Sequence, residues 1–184
     1  MTEMKELELD LTKNATRKYI LDLLLEKLAD EERAAHVSAI RLAGLPEGHF
    51  DDLGDVEESV KRANLSDAVK AEVCDIYRIL SDAEAKVHGG TSDVHFHEIG
   101  NAEAVRNVVA ICTAVEMLGI EKLTFSPAQT GSGQVTCEHG TFDIPAPATA
   151  AIIEQGIPVC EEKLEGELMT PTSAAVILHY LKRG

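Results

Sequence analysis

The chain has 184 residues, long enough for one domain to bury a core without disulfides or a structural metal, and its 45% apolar and 27% charged residues are a globular balance. Aromatic residues make up only 4% and tryptophan is absent, so the core must be aliphatic and rich in alanine. Thirty-two Asp and Glu outnumber 17 Lys and Arg, and a net charge of -15 repels polyanions, which excludes nucleic acid as a partner.

No apolar run approaches the roughly 20 residues that cross a bilayer, and Met1 to Asp10 has no basic segment leading into an apolar one, so no membrane partner is expected. Cys74, Cys112, Cys137 and Cys160 are widely spaced with no Cys-x-x-Cys pair, which argues against a disulfide framework and for a reducing, cytoplasmic setting.

Along the chain, Leu7, Leu9 and Leu11 alternate with Glu6, Glu8 and Asp10, the period of two of a half-buried strand over Lys5 to Leu11. Leucine density predicts a buried helix over Tyr19 to Leu28, and Asp30 with Glu31 and Glu32 opens a second helix that ends near Gly44. Leu45 to Gly54, with Pro46, Gly48 and Gly54, reads as a loop. Ser66 or Asp67 starts the longest helix, with Val69, Val73, Ile76, Tyr77, Leu80 and Val87 at three and four residue steps and Gly89 and Gly90 as its stop.

A short extended segment follows over Val94 to Glu98, then a helix capped by Asn101 and ended by Gly119. Leu123 to Phe125, Gln134 to Cys137, Thr141 to Ile144 and Pro158 to Cys160 are strand candidates. Gly131-Ser132-Gly133 and His139-Gly140 are read as turns between them. Pro147 enters a helix that runs to Gly156, and Thr170-Pro171-Thr172 opens a last one over Ser173 to Lys182. The expectation is one α/β or α+β domain, mainly helical over 12–90 and mixed over 91–184, around one aliphatic core.

Chemistry concentrates in His95-Phe96-His97-Glu98. In an extended segment His95 and His97 project to the same side, and Glu98 adds a carboxylate where the chain turns into the next helix. Imidazole with carboxylate suits nickel, zinc, iron or manganese, and spacing alone does not choose among them. The competing reading, with even weight, is two polar histidines beside a turn. Cys137 and His139 repeat the i, i+2 spacing, although His139-Gly140 also suits a plain hairpin turn. Gly131 and Gly133 offer backbone N–H groups to an anion but lack the lysine of a phosphate-binding loop. Thr170 and Thr172 sit where a helix N-terminus favours an anion, and equally where hydroxyl residues serve as caps. His88 at a helix end is read as local stabilisation, and His36, His49 and His179 as surface or helix residues without a role.

Taken together, Ala83-Glu84-Ala85-Lys86-Val87-His88-Gly89, Val94-His95-Phe96-His97-Glu98-Ile99-Gly100, Ser126-Pro127, Gly131-Ser132-Gly133, His139-Gly140, Pro145-Ala146-Pro147-Ala148-Thr149 and Thr170-Pro171-Thr172 follow one another as in the LarC family of nickel-insertion proteins. The chain resembles the N-terminal part of that family, strongly over residues 60 to 184. The resemblance implies CTP-dependent insertion of nickel into a pyridinium bisthiocarboxylate mononucleotide, a lyase-type activity in nickel-pincer cofactor biosynthesis. It also implies His95, His97, Glu98 and His139 as nickel ligands or pocket residues.

Two stretches depart from the family pattern. Lys13-Asn14-Ala15-Thr16-Arg17-Lys18-Tyr19 stands where the family has a Ser-Gly-Ile-Ser-Gly-Asp-Met loop, and Glu103-Ala104-Val105-Arg106-Asn107 where it has Asp-Ser-Ile-x-Asp. The family continues into a C-terminal nucleotide-binding domain that has no counterpart by Gly184. CTP is therefore expected only through a separately encoded C-terminal partner chain, and the other expected partners are a nucleotide-like small molecule and further copies of the chain in a homo-oligomer. A non-catalytic metal carrier or scaffold, or an inactive relative, is the alternative.

Overall fold

A computed structural model describes residues 3–89, 100–137 and 140–183. Among these are seven helices and six short strands, the mixed α and β class expected. Strand β1 (Glu6–Leu9) lies parallel to β2 (Lys122–Phe125), with Leu7 opposite Leu123 and Leu9 opposite Phe125. Two parallel strands need a long crossover, and among the described residues five helices lie between them.

Helix α1 (Arg17–Leu25) starts where the Thr16 side chain accepts from the Tyr19 N–H. It begins and ends earlier than leucine density implies, although Leu28 beyond it is still buried. Helix α2 (Asp30–Leu42) opens with the three expected acids, and Glu32 reaches back to accept from the Ala29 N–H at 2.8 Å. Helix α3 (Leu53–Arg62) was not expected, and its first residues fall inside the stretch read as a loop. Its cap is Asp52, which accepts from Asp55 N–H at 2.9 Å, and only Val56 and Val60 of its ten residues are buried. Two apolar positions among charged neighbours are too few for a periodic signal.

Helix α4 (Asp67–Val87) buries Val69, Val73, Ile76, Tyr77 and Leu80 of the stripe that its spacing predicts, and Ala83 with them, whereas Val87 in its last turn is exposed. Helix α5 (Ala102–Leu118) is capped by Asn101, ends on Gly119 at φ 65°, and is buried on nearly every face, so it is the central rod of the molecule. Antiparallel pairs β3 (Gly131–Ser132) with β6 (Gly166–Glu167) and β4 (Gln134–Cys137) with β5 (Gly140–Asp143) follow. Helices α6 (Pro147–Ile153) and α7 (Pro171–Arg183) close the core against α4. One cluster of buried side chains joins Leu9, Ile20, Val56, Ile76, Ile111, Ile152 and Ile177, and each fully buried aliphatic contributes roughly 1.5–3 kcal/mol.

Pro158 to Cys160 is not a strand but a single parallel bridge, Val159 with Ala128. Gly131 and Ser132 belong to a strand rather than a turn, because Gly166–Glu167, unmarked in the sequence, pairs with them. No helix among the described residues is long and apolar enough to cross a membrane.

Candidate functional site

The segment that carries His95, His97 and Glu98 joins α4 to α5 and lies outside the described residues, as does His139. Its two anchors are described. At the end of α4, His88 is the C-cap residue and its Nε2 lies 3.3 Å from Glu84 Oε2, one turn back. At the start of α5, Phe50 N–H donates to Gly100 O at 2.6 Å and Ala102 N–H to Gly48 O at 3.0 Å, so the 48–50 stretch is stitched across the helix entrance. The Asn101 side chain then accepts from Ala104 N–H at 3.0 Å. Both ends of the histidine segment thus leave from fixed points.

His139 falls in the connection between β4 and β5, where Cys137 is opposite Gly140. The Thr136 and Thr141 hydroxyls meet at 3.0 Å across that hairpin. Among the described residues no group of three or more His, Cys, Asp or Glu is placed to hold a metal ion.

Several of the remaining motif residues converge beyond the C-terminal ends of β1 and β2, the side on which parallel sheets commonly carry their sites. Ser126 N–H donates to Leu9 O at 3.0 Å, and Ser126 Oγ accepts from Leu11 N–H at 2.8 Å. Asp10 accepts from both the hydroxyl and the N–H of Thr12, and these bonds hold its carboxyl below the ordinary range. Gln129, which is 2% exposed, was not singled out in the sequence, yet it is the centre of this region. Its Nε2 donates to Thr12 O at 3.2 Å and Glu162 O at 3.0 Å, while its Oε1 accepts from Gly131 N–H at 3.0 Å and Leu164 N–H at 3.1 Å. All four capacities of the amide are used, so three chain segments are tied to one side chain.

Gly131 sits at φ 80°, and a Cβ there would stand 1.8 Å from Gly166 O, so only glycine lets β3 and β6 approach. Its N–H already serves Gln129. Gly133, at φ 105°, has open space around it. Thr170 and Ser173 form reciprocal bonds at the entrance to α7: Ser173 N–H donates to Thr170 Oγ1 at 3.3 Å and Thr170 N–H to Ser173 Oγ at 3.0 Å. Thr172 is buried.

Two histidines set aside as surface or helix residues are buried. His36 is 2% exposed and its Nε2 lies 2.8 Å from Ala110 O; a carbonyl only accepts, so Nε2 carries the hydrogen. His179 lies 3.6 Å from Glu72, beyond hydrogen-bond reach, in a group where Tyr180 donates to Glu72 at 2.6 Å and Arg183 pairs with it at 3.0 Å. Burial pushes the Glu72 carboxyl up, but His179, Tyr180 and Arg183 together outweigh it and hold the carboxyl below its ordinary value. A signal was present for His36: it stands four residues before Ile40, on the same helix face.

Comparison with known proteins identifies the chain's kin. A family model described as nickel insertion protein matches residues 4–183. A pyridinium-3,5-bisthiocarboxylic acid mononucleotide nickel insertion protein of Staphylococcus epidermidis is 33% identical over 175 residues, 95% of this chain and 41% of that protein. Proteins of the same name from Staphylococcus saprophyticus and Desulfitobacterium hafniense are each 38% identical, over 70% and 74% of this chain and 33% and 34% of theirs. The chain therefore spans about a third to two fifths of the length of these relatives. No solved structure matches it. Because the family match runs almost from end to end, the chain belongs to the nickel insertion protein family.

Proposed function

We propose that this chain is the metal-handling N-terminal module of a nickel insertion protein, and that its reaction is insertion of Ni²⁺ into a pyridinium-3,5-bisthiocarboxylic acid mononucleotide. The family match over residues 4–183, together with the names of the relatives, is the observation that carries this reading. Nickel is cargo here rather than a resident cofactor. His95, His97 and Glu98 are its entry donors, with His139 as a further imidazole, because imidazole and carboxylate bind divalent nickel and still exchange it to a softer sulfur ligand. The thiocarboxylate sulfurs of the substrate are that softer partner, so transfer runs downhill from nitrogen and oxygen to sulfur.

The reading assigns CTP to the part of the relatives that the match does not reach, acting with this chain as a C-terminal partner. In a mixture of Ni²⁺, CTP and the mononucleotide, the chain with such a partner is expected to yield the nickelated mononucleotide, followed by absorbance and mass. Each component alone is expected to yield none. Product formation that is indifferent to addition of this chain contradicts the proposal.

A further inference from the structure

We propose that the cleft between α1, α2 and α5 is a binding site for a phosphomonoester with a flat ring, of the mononucleotide class. The cleft has a volume of about 540 Å³, within the range of small-molecule sites. Leu21, Leu25, Ile40 and Leu45 give it apolar walls, and Arg41 and Arg106 also line it. Arg41 lies in the last turn of α2 and Arg106 in the second turn of α5, so two separate helices each contribute an arginine to the lining of one cavity.

The charge pattern points to an anion. In a chain with 32 acidic and 17 basic side chains, Arg33, Arg62, Arg78 and Arg183 each make an ion pair. Among the described residues, Arg17, Arg41 and Arg106 make neither an ion pair nor a side-chain hydrogen bond, and of these Arg41 and Arg106 line the cleft. Guanidinium forks match phosphate oxygens two bonds at a time, and two of them neutralise a dianionic phosphomonoester. Inorganic phosphate would leave the apolar walls wet, whereas a ring between Leu21, Leu25 and Ile40 covers them. Glu47 and Asn107 also face the cavity. Glu47 repels a phosphate but accepts from sugar hydroxyls, as carboxylates do for ribose, so the sugar belongs beside it and the phosphate away from it.

The choice of ring rests on the function proposed above; the anion site rests on the cleft alone.

Calorimetric titration of the chain with nicotinic acid mononucleotide, a pyridinium mononucleotide, tests the site. The wild type is expected to bind it, and Arg41→Gln and Arg106→Gln are each expected to weaken binding about tenfold or more. Nicotinic acid riboside, which lacks the phosphate, and inorganic phosphate, which lacks the ring, are both expected to bind at least about tenfold more weakly. Both arginines reach the surface of the cleft, and unchanged circular dichroism and melting confirm that the variants fold. No binding by the wild type, equal binding by both folded variants, or equal binding of the riboside overturns the proposal. Ni²⁺ titrated into the same variants separates the two readings. Retained nickel binding with lost mononucleotide binding supports the cleft, and absent nickel binding in the wild type counts against the proposed function while leaving the cleft to its own result.

Discussion

Gly131 and Gln129 show how much one residue position can hold. Gly131→Ala places a methyl 1.8 Å from Gly166 O at a backbone angle that favours glycine, so β3 and β6 must separate. We predict a loss of about 3 kcal/mol or more in urea denaturation, against about 1–2 kcal/mol for Gly133→Ala, where the backbone angle is strained but the space is empty. Equal losses at the two positions would show that the close approach to Gly166 does not matter. Gln129→Ala is expected to cost about 2–4 kcal/mol, since it strips partners from Thr12 O, Glu162 O, Gly131 N–H and Leu164 N–H together. The sequence announced Gly131 through its neighbours, Ser132 and Gly133, but announced nothing of Gln129. A glutamine is unremarkable in a polar loop, and its importance arises only when Thr12, 117 residues away, and the stretch from Glu162 to Leu164, 33 to 35 residues away, arrive around it.

Among the elements, local signals decided what was legible. The long helices α4 and α5 follow directly from apolar spacing, a capping Ser66 or Asn101, and glycine at the end. Helix α3 and strand β6 were not legible for opposite reasons: α3 buries only two side chains, and β6 is two residues long and exists through its partner. The same logic explains His179 and Glu72, polar residues of α7 and α4 that meet only when those helices pack.

Because the Glu72 carboxyl is held below the ordinary glutamate value of 4.5, its ionised form is favoured in the folded state. The stability this contributes is present above pH 4.5 and is lost as pH falls through the lower folded value. Glu72→Gln is therefore expected to melt lower than wild type at neutral pH and to lose less on acidification below pH 4.5. Parallel melting curves across that range for the two proteins would remove this account of how α4 and α7 are joined.

For the whole molecule, the fold class and the family were both readable, because order and spacing of short motifs survive where overall composition says little. What could not be read was the spatial company of those motifs. Ser126, Gly131 and the Leu11 to Ala15 stretch gather beyond β1 and β2 through bonds spanning more than a hundred residues, such as Leu11 N–H to Ser126 Oγ and Ala15 N–H to Leu168 O at 2.8 Å. The cleft lined by Arg41 and Arg106 was equally hidden, since its walls come from three helices spread across residues 21 to 110.

The central claim is that this chain takes up nickel through the segment between α4 and α5. Calorimetric titration of untagged protein with Ni²⁺, beside the His95→Ala, His97→Ala double variant, tests it most directly. The account predicts saturable binding by the wild type that falls at least about tenfold in the double variant, with the melting temperature unchanged. Equal nickel affinity in the two proteins would contradict it.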